Sequence, residues 1–165
     1  MSEIVRAAMA VGSNLGDRRR HLNEAIATLS AAPGVTAVAV SPIVESPAVG
    51  GPEQPVFLNA VLVVDTNLPA DELLTIAQQC EENAHRVREE RWGPRTLDVD
   101  VLAYDQVRSD DPALTLPHPR ATERAFVMVP WAAVDPEFEI DGRTVAEWAS
   151  ALDRSDVRVV TEISD

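Results

Sequence analysis

The stretch from Leu97 to Val101 alternates between apolar and acidic side chains, and this alternation constrains the fold more than any other feature of the sequence. Leu97, Val99 and Val101 would face a core, whereas Asp98 and Asp100 would point to the opposite face, because side chains alternate along a β-strand. Strand positions two apart are separated by roughly 6.6 Å. The two carboxylates are therefore predicted to bind one or two Mg²⁺ ions.

Arginine is concentrated immediately before this strand, and each guanidinium can hold phosphate oxygens through two parallel hydrogen bonds. Trp92 lies between two of these arginines, where a large ring is costly without a ligand to cover it. The pattern favours a nucleotide polyphosphate site, although a solvated charge run beside an exposed strand face fits this window about equally well. The arginines are Arg86, Arg88, Arg91 and Arg95.

Composition narrows the possible functions. The chain of 165 residues, 45% of them hydrophobic, predicts one domain spanning residues 1–165. A net charge of -13 argues against nucleic-acid and anionic-membrane partners. All 14 basic residues are arginine, which excludes a lysine-containing phosphate loop and Schiff-base chemistry. Phosphate recognition must therefore use arginine, backbone and metal.

A cytoplasmic location is expected. Cys80 is the only cysteine, so an internal disulfide is excluded, and its helical spacing with Leu73, Ile76 and Ala77 predicts a buried thiol. The first residues include an early acid and no long apolar run, which does not fit a signal peptide. No segment predicts a membrane span.

The order of predicted elements is β-α-β-β-α-β, which indicates an α+β fold. This order predicts a ferredoxin-like core, an antiparallel sheet with two crossover helices on one face and the ligand on the other. A C-terminal helix and hairpin extension follows, with Asp141-Gly142 as the hairpin turn. The predicted core elements are strands at 4–12, 35–45, 57–65 and 97–101, and helices at 17–32 and 69–84.

Asn59 interrupts the apolar run of the third predicted strand, on the same face as Phe57 and Val61. A buried amide needs hydrogen-bond partners. It either satisfies backbone groups near a bulge or reads the edge of a planar heterocycle that offers both donors and acceptors. The long loop at 46–55, rich in proline and glycine, is typical of functional loops.

Several motifs are spread over almost the whole chain: Gly12-Ser13-Asn14-Leu15-Gly16-Asp17, Gly50-Gly51-Pro52, Phe57-Leu58-Asn59-Ala60, the run from Arg91 to Asp100, Pro117-His118-Pro119-Arg120, and Glu123-Arg124-Ala125-Phe126. Together they resemble the 6-hydroxymethyl-7,8-dihydropterin pyrophosphokinase family. The resemblance implies transfer of the diphosphate of ATP to the hydroxymethyl group of 6-hydroxymethyl-7,8-dihydropterin in folate biosynthesis, with AMP as the second product.

The resemblance also implies the role of individual residues. Asp98 and Asp100 would hold two Mg²⁺ ions with ATP as co-substrate, and Arg86 and Arg95 would be catalytic, neutralising charge on the reacting phosphates. The residues implied for ATP binding are Gln78, Glu81, Arg86, Arg88, Arg91, Trp92, Val101, Thr115, His118 and Arg124. Those implied for pterin binding are Ser46, Pro47, Val49, Phe57, Asn59, Trp92, Asp98 and Phe126.

Two other classes of function share these features. A ferredoxin-like sheet can serve as a regulatory small-molecule binding module, and an Asp-x-Asp pair with arginines can serve a different magnesium-dependent nucleotidyl or phosphoryl transferase or a phosphohydrolase. The products formed from ATP distinguish these classes. A monomer is expected, with no nucleic acid or membrane as partner.

Overall fold

The structure is a computed structural model that describes residues 3–13, 18–46, 57–87 and 97–160, without the side chains of residues 18 and 85–87. No helix in these ranges is long and apolar enough to cross a membrane. The strands there are β1 (Val5–Ser13), β2 (Val35–Val40), β3 (Val44–Ser46), β4 (Phe57–Thr66), β5 (Asp98–Tyr104), β6 (Ser109–Asp111), β7 (Leu114–Leu116), β8 (Glu139–Ile140), β9 (Arg143–Thr144) and β10 (Arg158–Val159). The helices are α1 (Arg18–Ala31), α2 (Ala70–Val87), α3 (Ala125–Val134) and α4 (Val145–Ser150), with a 3-10 turn at Ala121–Glu123.

One antiparallel sheet organises the chain in the order β10-β3-β4-β1-β5, and β2 pairs with the second half of β4. The central strands β1 and β4 are buried along most of their length because helices lie against both faces of the sheet. The predicted α+β class with an antiparallel sheet is confirmed.

The first sheet face is covered by α1 and α2. Leu22 and Leu29 of α1, and Leu73 and Ala77 of α2, pack on the inward-facing residues of β1, β4 and β5. Cys80 belongs to the same core at 4% exposure, and burial raises the pKa of its thiol. The predicted burial of Cys80 is therefore confirmed.

The second sheet face is partly covered by α3, against which α4 packs, so the prediction of helices on one face holds only for α1 and α2. Met128 and Trp131 of α3 pack against Val61 and Val63 of β4 in this second core. The very apolar sequence of α3 leaves no polar face for solvent, which explains why it lies against the sheet.

Two predicted segments have different boundaries. The single strand expected at 35–45 is divided into β2 and β3, because the Ser41 hydroxyl accepts a hydrogen bond from the backbone N–H of Val61 at 2.8 Å and Pro42 has no N–H to donate. The sequence of residues 114–120 indicates a polar turn, but this segment begins as β7, which pairs with β6. The hairpin predicted at Asp141-Gly142 is present, and both residues have positive φ.

Arg6 links the start of the sheet to the end of α3. Its guanidinium lies 3.2 Å from Asp65 on β4 and 3.8 Å from Asp135, the residue that follows α3. Burial is the main cause that raises the pKa of Asp135, Arg6 opposes it, and Glu137 adds to it. The folded protein therefore binds the Asp135 proton more tightly than the unfolded chain does.

This difference predicts a pH-dependent effect on stability. The contribution of Asp135 to the free energy of unfolding should fall as pH rises, because the charged carboxylate is less favourable in the folded state. The free energy of unfolding of the wild-type protein, relative to that of Asp135→Asn, should therefore decrease between about pH 3 and 7. Denaturant titrations across this pH range measure the difference.

Asp153 provides a control of opposite sign. Its carboxylate accepts a hydrogen bond from the backbone N–H of Ser155 at 3.0 Å, which lowers the pKa of Asp153. The stability that this bond contributes is fully present above the ordinary pKa of an aspartate and is lost as pH falls. The wild-type protein should therefore gain stability relative to Asp153→Asn as pH rises. Equal slopes for the two variants would contradict the assignment.

Candidate active site

The strand register brings Asn59, Asp98 and Asp100 onto the second sheet face, beyond the end of the core under α3. Paired residues on antiparallel strands point to the same face. Asn59, Gly12 and Asp98 form one row across β4, β1 and β5, and the next row contains Val61, Ala10 and Asp100. Residues far apart in the sequence therefore form one continuous surface.

Asp98 and Asp100 are half-buried on β5, the last strand of the described sheet. Their side chains point away from Val99 and Val101, which are buried on the first face as the alternation predicts. No group of three or more His, Cys, Asp or Glu residues that could hold a metal occurs in the described ranges. Two carboxylates fit Mg²⁺, which commonly binds one or two carboxylates together with waters and substrate phosphates.

Asn59 has a fixed amide orientation. Its Nδ2 donates to the Ser46 Oγ at 3.1 Å, and the two residues are only 9% and 4% exposed. The Oδ1 atom lies on the other side, above Gly12, where a Cβ atom would be 2.6 Å away. The amide thus presents its acceptor towards β1 and the row that leads to Asp98.

Two phenylalanines border this surface. Phe57 is paired with Ser46 and is half-buried at the start of β4. Phe126 lies in the first turn of α3 and is partly buried against the second core. The Arg124 guanidinium is 5.7 Å from the centre of the Phe126 ring, within the range of a cation–π contact.

His118 lies near both Asp100 and Arg124. Burial is the main cause that lowers the pKa of His118; Asp100 opposes this effect, while Arg124 and Arg120 lower the pKa further. The His118 Nδ1 accepts a hydrogen bond from the backbone N–H of Arg120 at 3.2 Å. The neutral ring therefore carries its proton on Nε2, which can donate to an anionic ligand.

His118 is also attached to β5, since its backbone N–H donates to the Leu102 carbonyl at 2.8 Å. This bond connects the segment after β7 to β5. It explains how a histidine 18 positions after Asp100 lies beside that carboxylate. Thr115, on β7, uses its hydroxyl to donate to the Asp111 carbonyl at 3.0 Å and is half-buried.

The remaining described candidates have different environments. Gln78 is exposed on α2. The Val101 side chain is 4% exposed in the first core, so only its backbone can contact a ligand on the second face. The predicted ATP contacts of Gln78, Val101 and Thr115 remain predictions.

Glu81 forms a hydrogen bond with the outer edge of β5, the strand that carries Asp98 and Asp100. Its Oε2 accepts a hydrogen bond from the backbone N–H of Val99 at 2.8 Å, between the two aspartates. Edge strands otherwise leave such N–H groups to solvent. Sequence reasoning placed Glu81 near ATP and did not identify this bond, because no local pattern relates residues 18 positions apart.

We expect Glu81→Ala to expose the Val99 amide and lower the free energy of unfolding by about 1 to 3 kcal/mol, because a hydrogen bond to a charged acceptor is lost. Glu81→Gln should retain most of this stability because its amide oxygen can accept the same bond. Amide hydrogen exchange at Val99 measures the effect directly. Unchanged exchange in Glu81→Ala would contradict the positioning role.

Several predicted site residues lie outside the described part of the chain. For Arg86 the backbone lies in α2 and only the side chain is outside. The others are Pro47, Val49, Arg88, Arg91, Trp92 and Arg95. Gly12 lies in the middle of the row between Asn59 and Asp98. In the sequence it was noted only as part of a motif. A glycine within an apolar strand is the signal that could have indicated a close approach at this position.

Comparisons with known proteins identify the family of this chain. The family model for 7,8-dihydro-6-hydroxymethylpterin-pyrophosphokinase (HPPK) matches residues 8–136. A 2-amino-4-hydroxy-6-hydroxymethyldihydropteridine pyrophosphokinase of Methylorubrum extorquens is 43% identical over 157 residues, covering 95% of this chain and 99% of the relative. The enzyme of the same name from Bacillus subtilis is 41% identical over 153 residues, covering 93% of this chain and 89% of the relative.

Solved structures show the same fold. Plasmodium falciparum HPPK-DHPS with pterin and p-hydroxybenzoate matches with a TM-score of 0.67 at 13% identity, covering 91% of this chain and 43% of that protein. The chain thus spans less than half the length of that solved protein. The family match over most of the chain and the close curated relatives together establish that the chain belongs to the 7,8-dihydro-6-hydroxymethylpterin-pyrophosphokinase family.

Proposed function

We propose that this pyrophosphokinase transfers the β,γ-diphosphate of ATP to the hydroxymethyl group of 6-hydroxymethyl-7,8-dihydropterin through the second sheet face. The observation that carries the proposal is the row of Asn59, Gly12 and Asp98, in which only β1 separates the strand of the hydrogen-bonded amide from the strand of a carboxylate suited to Mg²⁺. One end of this surface can read a heterocycle and the other can hold the metal-bound triphosphate.

In the proposed reaction, the hydroxymethyl oxygen attacks the β-phosphorus, the bond from this phosphorus to the α,β-bridging oxygen breaks, and AMP leaves. The hydroxyl proton is released, and no side chain is assigned as its acceptor. Asp98 and Asp100 would hold two Mg²⁺ ions. When bound, such ions neutralise phosphate charge and keep the attacking and leaving oxygens in line.

Positive and hydrogen-bonding groups near Asp100 would hold the triphosphate. The half-buried Arg124 supplies a permanent cation, and His118 supplies the Nε2–H donor that its bond from Arg120 leaves available. Arg86 and Arg95 are proposed to neutralise charge that develops on the reacting phosphates. The other proposed ATP contacts are Gln78, Glu81, Arg88, Arg91, Trp92, Val101 and Thr115.

The pterin is proposed to lie between Phe57 and Phe126, with the Asn59 amide at its edge. Stacking on aromatic rings contributes about 0.5 to 1.5 kcal/mol beyond burial of area. Ser46 would act partly through Asn59, because its hydroxyl accepts the amide hydrogen bond. Pro47, Val49, Trp92 and Asp98 complete the proposed pterin contacts.

We also propose a specific topology for the sheet and its helices. The order β5-β1-β4, with β2 and β3 both beside β4, and the crossover helices α1 and α2 on one face support a ferredoxin-like core. We further propose that residues 1–165 form a single catalytic domain that acts as a monomer in the cytoplasm, with no nucleic-acid partner.

Product analysis tests the proposed function. The protein should release AMP from ATP only when the pterin alcohol and Mg²⁺ are both present, with one pterin diphosphate formed for each AMP. Release of pyrophosphate would indicate a nucleotidyl transferase, and release of phosphate a phosphohydrolase. Tight pterin binding with no turnover would indicate a binding module.

A further inference from the structure

We propose that Gly12 is a positioning residue for the pterin, because its missing side chain provides the space in which the Asn59 amide is held. This inference rests on the proposed pterin site. It assigns to Gly12 a role in ligand selection that acts entirely through Asn59.

The strongest observation is a steric one. A Cβ atom on Gly12 would lie 2.6 Å from the Asn59 Oδ1 and 3.7 Å from its Cγ. The first separation is shorter than real Cβ contacts allow, so the amide would have to move. Close approach of another group is a recurring reason for glycine within a strand.

The amide cannot move freely. The Asn59 Nδ2 is bonded to the Ser46 Oγ at 3.1 Å, and both side chains are almost fully buried. Rotation that takes Oδ1 away from Gly12 would also displace Nδ2 from this bond. An added methyl group would therefore leave a buried amide without its partner, which is unfavourable.

The backbone at Gly12 does not itself require glycine. The described glycines with positive φ are Gly34 and Gly142, and Gly12 is not among them. Gly12 pairs in register with Asn59 and Asp98 as ordinary extended backbone, and alanine is favoured over glycine in such a strand. The contact with Asn59 is thus the physical reason for glycine at this position.

The orientation of Asn59 determines what a ligand must offer. The Nδ2 of Asn59 is directed to Ser46 on β3. Its Oδ1 acceptor therefore lies on the side of β1, towards β5, the strand proposed to hold the metal. A heterocycle that reaches across this row must present an N–H donor to Oδ1. Gly12 would thereby select the pterin edge without contacting ATP.

The test compares Gly12→Ala, Asn59→Ala and the double variant with the wild-type protein. Calorimetry should show that Gly12→Ala weakens binding of 6-hydroxymethylpterin about tenfold or more, as for a buried polar group left unpaired, while binding of a magnesium-bound ATP analogue changes less than about twofold. In the Asn59→Ala background, the added methyl group has no Oδ1 to meet. Gly12→Ala should then cause no further loss of pterin affinity.

A second measurement separates the positioning role from the pterin site. In denaturant titrations without ligand, Gly12→Ala should lower the unfolding midpoint of the wild-type protein but not that of Asn59→Ala. The wild-type protein could fail to bind pterin while Gly12→Ala still lowers the unfolding midpoint only when Asn59 is present. That result would contradict the proposed pterin site but support the steric coupling between Gly12 and Asn59. The role of Gly12 would be overturned if Gly12→Ala caused an equal loss of pterin affinity or stability in the wild-type protein and in Asn59→Ala. A double variant that does not fold would also overturn it.

Discussion

Replacing either carboxylate on β5, as Asp98→Asn or Asp100→Asn, should lower kcat by about a thousandfold or more, which corresponds to roughly 4 kcal/mol of lost transition-state stabilisation. Both side chains lie on the site face, whereas the strand is anchored by Val99 and Val101 in the opposite core. The substitutions preserve shape and remove only charge. We therefore expect the fold to survive while metal-dependent turnover is lost.

The measurement is AMP release over a Mg²⁺ titration, together with the free energy of unfolding. Asp156→Asn, which removes one negative charge from an exposed position, should retain turnover and shows whether net charge alone has an effect. Turnover close to the wild-type value in either Asp98→Asn or Asp100→Asn at saturating Mg²⁺ would contradict the proposed metal site.

Arg124→Ala should lower kcat/KM by about a hundredfold, since one positioned cation contributes roughly 3 kcal/mol to stabilising charge on the transferring group. Its guanidinium lies over the Phe126 ring, and its charge lowers the pKa of His118. The cation therefore lies near Phe126 and His118, which are proposed to bind the pterin and ATP respectively. Arg124→Lys should recover part of the activity, because it restores the charge without the planar donor geometry.

Arg143 offers a matched control for this prediction. Its guanidinium lies 4.5 Å from the centre of the Trp148 ring, so Arg143→Ala also removes an arginine that covers an aromatic side chain. Arg143 belongs to the β8–β9 hairpin rather than to the site face. Its replacement should leave kcat/KM nearly unchanged, and comparable losses in both variants would show that Arg124 acts through general stability.

Local periodicity explains which predictions from sequence are confirmed. Leu97, Val99 and Val101 face the core and Asp98 and Asp100 face the opposite side, because the β-strand repeat of two is a property of the chain itself. The burial of Cys80 follows from the helical repeat in the same way. The boundary between β2 and β3 was missed because Ser41 satisfies its hydrogen bond with Val61, a residue on another strand.

The pairing of distant segments accounts for what the sequence could not show. Motif resemblance identified the family and the candidate residues, but the row of Asn59, Gly12 and Asp98 exists only after β1 pairs with β4 and β5. The Glu81 bond to Val99 and the approach of His118 to Asp100 depend on the same packing. By itself, the sequence determined which side chains share a face within each strand, because the repeat of two is local. The tertiary structure decided which strands are neighbours and in what register they pair. Those pairings join residues whose relative positions no local pattern specifies.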